Sequence, residues 1–310
     1  MRSTIATRLA VGATVAAIAA SGSLLAAEGT LIAERTLKSR PGASLTVDTD
    51  QGGLEVKGED RDTIELRVTV SGIDPEEAKK HLDLTVEEGA SGVVIRARFK
   101  KDDSWISSLF GGGSGQVHYE IHAPRATNLA INNGSGGVRI DAFDGTVTLD
   151  NGSGGVDVTD INGSLSIDNG SGGVEVSRLH GPLVVDNGSG GIDASEVRGD
   201  IRIDNGSGGV RLDGIDGKLA VDTGSGGVQA RMVGANAGIV ATTSSGGVRI
   251  IVPAGWGADL DLSSSSGRIV LDGWKEASVG SAKSFRGQVG GGGPTIKMQS
   301  SSGNVELSAG

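Results

Sequence analysis

The hexapeptide "DNGSGG" at residues 150–155 returns at residues 168–173, 186–191 and 204–209, always with a spacing of 18 residues. From Asn133 the chain divides without gaps into five blocks of 18 residues, among them "NGSGGVDVTDINGSLSID" and "NGSGGVEVSRLHGPLVVD". Ungapped self-similarity at a fixed period is typical of a solenoid, in which each repeat buries its apolar face against its neighbours. We therefore interpret the hexapeptide first as one corner of a repeating coil.

The pattern of apolar residues predicts two short strands in each coil. In the first block, Val138 and Ile140, then Phe143, then Val147 and Leu149 alternate with polar residues, which is the periodicity of a strand. A bend that contains a glycine joins the two strands at one end, and the hexapeptide joins them at the other. The glycines disfavour helix. We predict an all-β fold, a single-chain β-solenoid of about 18-residue coils with five inward apolar side chains per coil.

The segments that flank the array are less regular, and we expect them to cap its open edges. We predict a signal peptide at residues 1–27, a β-rich N-terminal segment at 28–132, the regular array at 133–242, and degenerate coils with a C-terminal cap at 243–310. Degenerate turns follow the array at residues 264 and 300 ("SSSGRI" and "SSSGNV"). One short helix is predicted near residues 75–83, with Asp74 as N-cap, Pro75 at its first position and Glu77 in a capping box.

The beginning of the chain indicates export. Arg2 and Arg8 accompany an apolar run rich in Ala, Val, Ile and Leu, which ends in small residues near Ala26 and Ala27. This order is typical of a cleaved export signal. An uncleaved membrane anchor is the alternative, because the run is nearly long enough to span a bilayer. We expect no transmembrane segment in the mature chain and a location in the periplasm, in the cell envelope or outside the cell.

Composition limits the classes of function. Among 310 residues there are 54 glycines, no cysteine and 3% aromatic residues. The missing cysteines exclude disulfides, thiolate metal sites and a cysteine nucleophile. The net charge of −10 argues against nucleic acid and anionic membranes as partners, since both attract basic surfaces.

The repeated corner carries two columns of polar residues, the carboxylates at Asp150, Asp168, Asp186, Asp204 and Asp222 and the amides at Asn151, Asn169, Asn187 and Asn205. We interpret them as a structural turn ladder, in which Asp accepts backbone N–H groups of its own turn and stacked Asn amides bond from coil to coil. Calcium is the functional alternative, because it prefers such oxygen ligands. The nine-residue calcium-binding β-roll, however, places its aspartate differently. We expect no metal and no cofactor.

Further surface candidates are weaker. Asp157, Glu175 and Asp193 form an acidic stripe, flanked by Arg139 and Arg211, which is either a partner site or a solvated face. The segment "WISSLF" offers an apolar contact for a partner, or else a lid over the first coil; its apolar residues are Trp105, Ile106, Leu109 and Phe110.

The "NGS" sequons at the corner are better explained as turns, since glycans on every coil would crowd one another. No catalytic residues are predicted, because the four histidines are scattered and only His118 and His122 share a strand face.

Four stretches resemble a known family: "LTVDTDQGGLEVKGED", "VHYEIHAPRATNLAINNGSGGVRI", "VRIIVPAGWGADLDLSSSSGRIVLDG" and "GGGGPTIKMQSSSGNVEL". With these the chain resembles the bacterial putative-adhesin β-strand-repeat family, a domain of unknown function related to the head domain of putative autotransporter adhesins. The resemblance implies an exported β-solenoid and brings no catalytic residues with it.

These observations favour a non-enzymatic exported β-solenoid that acts as an adhesin-like or cell-envelope scaffold and binding protein. The expected partner is an envelope protein or a glycan, and the expected oligomeric state is a monomer. A Ca²⁺-dependent or carbohydrate-binding solenoid is the first alternative. An enzyme that acts on polysaccharides is the second.

Overall fold

The computed structural model describes residues 29–40, 42–89, 91–100, 115–274 and 282–310. Over these residues the strands form two sheets of thirteen strands each, called sheet A and sheet B. Nearly every coil contributes one strand to each sheet, and the inward side chains of both sheets form one continuous core. The predicted all-β solenoid is confirmed.

The N-terminal segment supplies seven strands and the helix. Their bounds are β1 (Thr30–Lys38), β2 (Ser44–Thr49), β3 (Gly53–Glu59), β4 (Thr63–Ser71), α1 (Pro75–His81), β5 (Leu82–Gly89), β6 (Gly92–Phe99) and β7 (Gln116–Pro124). Asp74 caps the helix by accepting the N–H of Glu77 at 2.9 Å. The helix ends two residues earlier than predicted, because Leu82 and Asp83 already pair with β6. Its Ala78 is fully buried.

The regular array alternates between the two sheets. Its strands are β8 (Asn128–Asn133), β9 (Val138–Phe143), β10 (Val147–Asn151), β11 (Val156–Asn162), β12 (Leu165–Asn169), β13 (Val174–His180), β14 (Leu183–Ser189), β15 (Ile192–Arg198), β16 (Ile201–Ser207), β17 (Val210–Ile215), β18 (Leu219–Ser225) and β19 (Val228–Met232). Equivalent residues pair in parallel from coil to coil, for example Leu149 with Ile167 in sheet B and Ile140 with Val158 in sheet A.

The C-terminal segment adds seven strands. They are β20 (Ile239–Ser245), β21 (Val248–Val252), β22 (Ala258–Ser264), β23 (Ile269–Asp272), β24 (Ser284–Val289), β25 (Thr295–Ser300) and β26 (Val305–Ala309). Among the described strands, antiparallel pairs occur only at the edges of the two sheets: β1, β4 and β7 in sheet A, and β5 with β6 and β24 with β22 in sheet B. Charged residues on these strands, such as Glu87 and Arg286, disfavour pairing with a further chain.

A backbone irregularity recurs once per coil in sheet A. Ala142, Asp160, Arg178 and Glu196 all have φ between 53° and 67°, and Gly214 follows at 70°. The left-handed residue lets two outward residues stand between inward neighbours such as Val158 and Ile161, both buried. The extra residue acts as a β-bulge: it interrupts the alternation of inward and outward side chains, so that the next apolar residue again points into the core.

The order of the coils in space differs from their order in the sequence at both ends of the molecule. The first coil (β2 and β3) lies between the array and the coil formed by β6 and β7. The last coil (β25 and β26) lies between the coil of β20 and β21 and the coil of β22 and β23. The turn at residue 300 therefore follows the turn at 243 directly, and the turn at 264 lies outside it.

Candidate functional site

The asparagines of the repeated corner point into the protein and are fully buried. The Nδ2 of Asn151 donates to the Oδ1 of Asn169 at 2.8 Å, and Asn169 donates to Asn187 in the same way at 2.9 Å. Asn133 and Asn187 make the equivalent bonds to the next coil at 2.8 and 3.0 Å. Each amide also donates to a glycine carbonyl of its own turn, as Asn169 does to Gly172 at 3.3 Å. These bonds satisfy polar groups that burial would otherwise penalise.

Hydroxyl side chains continue this buried column beyond the asparagines. At one end, Thr49 donates to the Oδ1 of Asn133 at 2.7 Å. At the other end, Thr243 and Ser300 donate to the carbonyls of Gly226 and Gly246. Hydroxyl donors therefore take the place of the amide at both ends of the column.

The glycines of the corner permit a close approach of neighbouring coils. Gly172 has a φ of 122°, and a Cβ built on it would lie 2.1 Å from the carbonyl oxygen of Gly154 in the preceding coil. The N–H of Gly172 donates to the carbonyl of Ser189 in the following coil at 2.8 Å. A side chain at this position would therefore both strain the backbone and separate the coils.

The aspartates of the corner point outward, and they differ from the expected Asx-type arrangement. The N–H groups of Gly170 and Gly172 donate to the carbonyls of Asn151 and Ser189 rather than to Asp168. Asp150, Asp168, Asp186 and Asp204 are exposed and pair in register across sheet B. Among the described residues, these four carboxylates form neither a hydrogen bond nor an ion pair, whereas Asp222 accepts the hydroxyl of Thr242 at 2.8 Å.

Carboxylates elsewhere on the two outer faces are commonly neutralised by an arginine of an adjacent strand. Arg98 pairs with Asp48 at 2.7 Å, in the same column of sheet B as the four aspartates, and its pKa is raised mainly by Asp50. Arg178 pairs with Asp160 at 2.6 Å, and this hydrogen bond lowers the pKa of Asp160. The unpaired stretch from Asp150 to Asp204, hereafter the aspartate column, is thus a local departure from the pattern.

The acidic stripe on sheet A is mostly compensated. Arg139 pairs with Asp157 at 3.1 Å, and Arg211 pairs with Asp193 at 3.5 Å. Glu175, between them, has no ion pair with a described residue. The flanking arginines therefore neutralise the stripe from both ends.

The two histidines that share a strand face lie beside carboxylates. The ring nitrogens of His122 lie 2.8 Å from Glu59 and 3.0 Å from Glu120, and His118 lies 3.9 Å from Glu55. Within the described ranges, no group of three or more His, Asp or Glu side chains has the geometry to hold a metal ion. Likewise, no helix of this part of the chain is long and apolar enough to cross a membrane.

The remaining sequence candidates lie in different places. Trp105, Ile106, Leu109 and Phe110 fall outside the described residues, as does the N-terminal apolar run. Trp256 and Trp274 lie over the late coils, where Trp256 donates to the carbonyl of Gly234 at 3.1 Å and Trp274 donates to the carbonyl of Trp256 at 3.2 Å. The sequon asparagines of the corner are buried in the ladder, while Asn162 is exposed.

These features define a β-solenoid of stacked two-stranded coils with a buried polar corner. A family model confirms this class of protein: the Toastrack DUF4097 model matches residues 43–308, and the chain belongs to that family. No curated protein sequence gives a significant match.

Several solved structures match the chain at low sequence identity and low TM-score. A putative adhesin from Bacteroides fragilis is 12% identical, with 90% of this chain and 97% of that chain covered and a TM-score of 0.42. A putative lipid binding protein from Parabacteroides distasonis is 14% identical, with coverage of 89% and 96% and a TM-score of 0.38. A putative cell adhesion protein from Clostridium sporogenes is 12% identical, with coverage of 90% and 99% and a TM-score of 0.22. The assignment therefore rests on the family model.

Proposed function

We propose that this chain is an exported, non-enzymatic scaffold or binding protein of the cell envelope, adhesin-like in its action, and that it binds a basic partner through the outer face of sheet B. The observation that carries the proposal is the aspartate column. Its four carboxylates repeat at the coil spacing of about 4.8 Å, and none of them forms an ion pair with a described residue.

The column has an energetic cost for the isolated protein. Two carboxylates about 4.8 Å apart repel each other by roughly 0.9 kcal/mol in a water-like dielectric. Asn132 stands in the same column without a charge, so the fold itself does not require an acid there. A partner with repeated positive charges would remove the repulsion on binding, and charge complementarity of this kind favours fast and specific association.

The proposed contact is tested with a fluorescent oligolysine peptide and anisotropy measurements at low and high salt. We expect the double variant Asp168→Asn/Asp186→Asn to bind at least about tenfold more weakly, because each lost charge removes a contact that salt screens. The matched control Asp157→Asn/Glu175→Gln removes the same charge from sheet A. Equal losses for both variants would show that only net charge matters and would refute the assignment to sheet B.

Calcium is the alternative occupant of the column. Titration calorimetry of the wild type with CaCl₂, together with Tm measurements, separates the two. Heat and a rise in Tm that the Asp168→Asn/Asp186→Asn variant abolishes would replace the basic partner with a cation, since only ligands that prefer the native state stabilise it.

Export and the apolar contact are separate parts of the proposal. Cell fractionation of the full chain and of a variant without residues 1–27 tests export, with the truncated chain expected to stay in the cytoplasm. The predicted contact at Trp105, Ile106, Leu109 and Phe110 is tested by cross-linking pull-down with the wild type and Trp105→Ala. Recovery of the same envelope partners by both proteins would remove this segment from the contact.

A further inference from the structure

The last coil fills a place that the sequence order would assign to another coil. Strand β25 pairs with β20 on one side and with β22 on the other, and β26 pairs with β21 and with β23. The chain thus builds the coil of β22 and β23 first, leaves a gap of one coil, and returns to fill it. The last coil is inserted rather than added at the end.

The contacts that hold the inserted coil connect it to residues distant in sequence. Ser300 donates to the carbonyl of Gly246 at 2.7 Å, and Ser264 donates to the carbonyl of Gly303 at 2.7 Å. Arg249 pairs with Glu306 at 2.5 Å. The inward side chains of the coil are fully buried: Ile296, Met298, Val305 and Leu307. A coil from another copy of the chain would make every one of these contacts equally well.

The segment that precedes the inserted coil has the properties of a hinge. Gly290, Gly291, Gly292 and Gly293 are consecutive, with φ values of 58°, 87°, 83° and 153°. A Cβ on Gly291 would meet nothing within 4 Å, whereas a Cβ on Gly290 would lie 2.6 Å from the carbonyl oxygen of Trp256, so only the middle of the segment is open. Positive φ at four successive residues defines a tight local course that only glycine adopts without cost.

We propose that the last coil, residues 295–309, exchanges between copies of this chain, so that the coil of one copy fills the gap of another in a domain-swapped dimer. The swapped form keeps all contacts of the inserted coil and changes only the hinge, which is why exchange of an identical element is a low-cost route to a dimer. The monomer is the main form, and the dimer forms from it when two coils leave their gaps together.

The strand registers around the inserted coil also permit a competing rearrangement, in which the gap closes within one chain. Val240 and Asp261 both pair with Lys297, from opposite sides. If the inserted coil left, β22 would therefore meet β20 in register and close the gap within one chain. The experiment below has to separate exchange from this closure.

Cysteine cross-linking provides the separation, since the chain has no cysteine of its own. The variant Val240→Cys is mixed with Lys297→Cys, incubated, and then treated with a short bismaleimide. Paired residues on adjacent strands lie about 4.8 Å apart, so a covalent dimer reports a coil of one copy in the gap of the other. As a control, Val184→Cys, exposed on the same sheet face, is mixed with Lys297→Cys. We expect at least about fivefold more dimer from the first mixture.

The single-chain variants complete the test. In Val240→Cys/Lys297→Cys the link should form within one chain, which verifies the insertion in solution. If that link forms but the mixed copies give no more dimer than the control, the coil does not exchange and the proposal is overturned. A disulfide within Val240→Cys/Asp261→Cys under mild oxidation would likewise replace exchange with closure, because the two residues lie about two strand spacings apart, too far for a disulfide, while the coil is inserted.

A hinge variant gives an independent measurement of the same equilibrium. Gly291→Val disfavours the left-handed conformation needed in the monomer, while an opened hinge accommodates Val freely. We expect the dimer-to-monomer ratio in size-exclusion chromatography to rise at least about tenfold. Gly42→Val is the matched control, because Gly42 has a φ of 79° and equally open surroundings but lies far from the gap. An equal rise in the control, or no rise in the hinge variant, would count against exchange.

Discussion

The regular array and the two ends of the molecule obtain their order in different ways. In the array, each coil packs against the coils that precede and follow it in sequence, and five apolar side chains and one asparagine repeat with the period. At the ends, the first and the last coil are each enclosed between two other coils. The stability of the array is thus a sum of similar interfaces between neighbouring coils. At the ends, by contrast, the position of each coil depends on both of the coils that enclose it.

The two ends also differ from each other. The first coil is connected on both sides to strands of sheet A, with β1 before it and β4 after it. The last coil follows β24 across the four-glycine segment. Withdrawal of the first coil would disturb strands on both sides, while withdrawal of the last coil requires rotation at the glycines and the loss of local contacts such as the hydrogen bond from Asn236 to the carbonyl of Pro294. This contrast is why exchange is proposed for one end only.

The largest effect is expected at the corner of the array, where coils approach most closely. Gly172→Ala places a methyl group 2.1 Å from the carbonyl of Gly154 at a φ of 122°. We expect a loss of about 3–5 kcal/mol in the free energy of unfolding, since strain and separation of the coils add. Gly42→Ala, with a φ of 79° and no neighbour within 4 Å, should lose only about 1 kcal/mol. Urea denaturation measures both, and equal losses would show that strain rather than coil contact decides.

A somewhat smaller effect is expected in the buried ladder. Asn169→Ala leaves an amide of Asn151 without its acceptor and the carbonyl of Gly172 without its donor. Such unsatisfied buried groups should lower the free energy of unfolding by about 2–4 kcal/mol. Asn169→Thr should recover part of the loss, because Thr243 fills the same column by donating to a glycine carbonyl. An unchanged Tm in Asn169→Ala and Asn187→Ala would mean that the ladder does not stabilise the array.

Hydrogen exchange tests whether enclosure protects the ends. Amides of the first coil, β2 and β3, should exchange as slowly as those of the array, and amides of the last coil, β25 and β26, should exchange somewhat faster because that coil leaves its gap. They should be at least about tenfold slower than those of the outermost strands β5 and β24, which corresponds to about 1.4 kcal/mol in opening free energy. If protection from exchange instead decreases evenly from the centre of the array toward both ends of the sequence, enclosure between two coils does not protect the end coils.

Much of the fold was predictable because the same pattern of apolar residues and glycines occurs in five successive repeats. The inward positions, the two strands per coil and the N-cap at Asp74 all follow from local patterns. The enclosure of the end coils was not predictable, since every coil presents the same alternating apolar face and therefore fits beside any other. The outward direction of the aspartates was missed because the backbone N–H groups of the turn already bond between coils, and no residue type signals that.

The residues with positive φ that recur once per coil in sheet A were also not predicted from the sequence. The smallest of the expected effects concerns one of them. At these positions stand Ala142, Arg178 and Glu196, none of which signals a positive φ, beside Asp160 and Gly214, which are residue types found there more often. A left-handed residue with a side chain costs about 1–2 kcal/mol, while glycine costs about 0.5–1 kcal/mol in entropy. Glu196 forms no ion pair with a described residue and attracts Arg178 only weakly, so Glu196→Gly should raise the free energy of unfolding by roughly 0.5–1 kcal/mol.

The control for this variant lies on the same sheet. Glu175 is exposed in β13, and its φ is not among the positive values. Glu175→Gly should therefore lower the free energy of unfolding by about 0.5–1 kcal/mol, because glycine there gains no relief of strain and loses entropy. Opposite signs for the two substitutions in parallel urea titrations would show that the period of 18 residues includes a strained residue in each coil. The same sign for both would mean that the register of the coils is maintained without that strain.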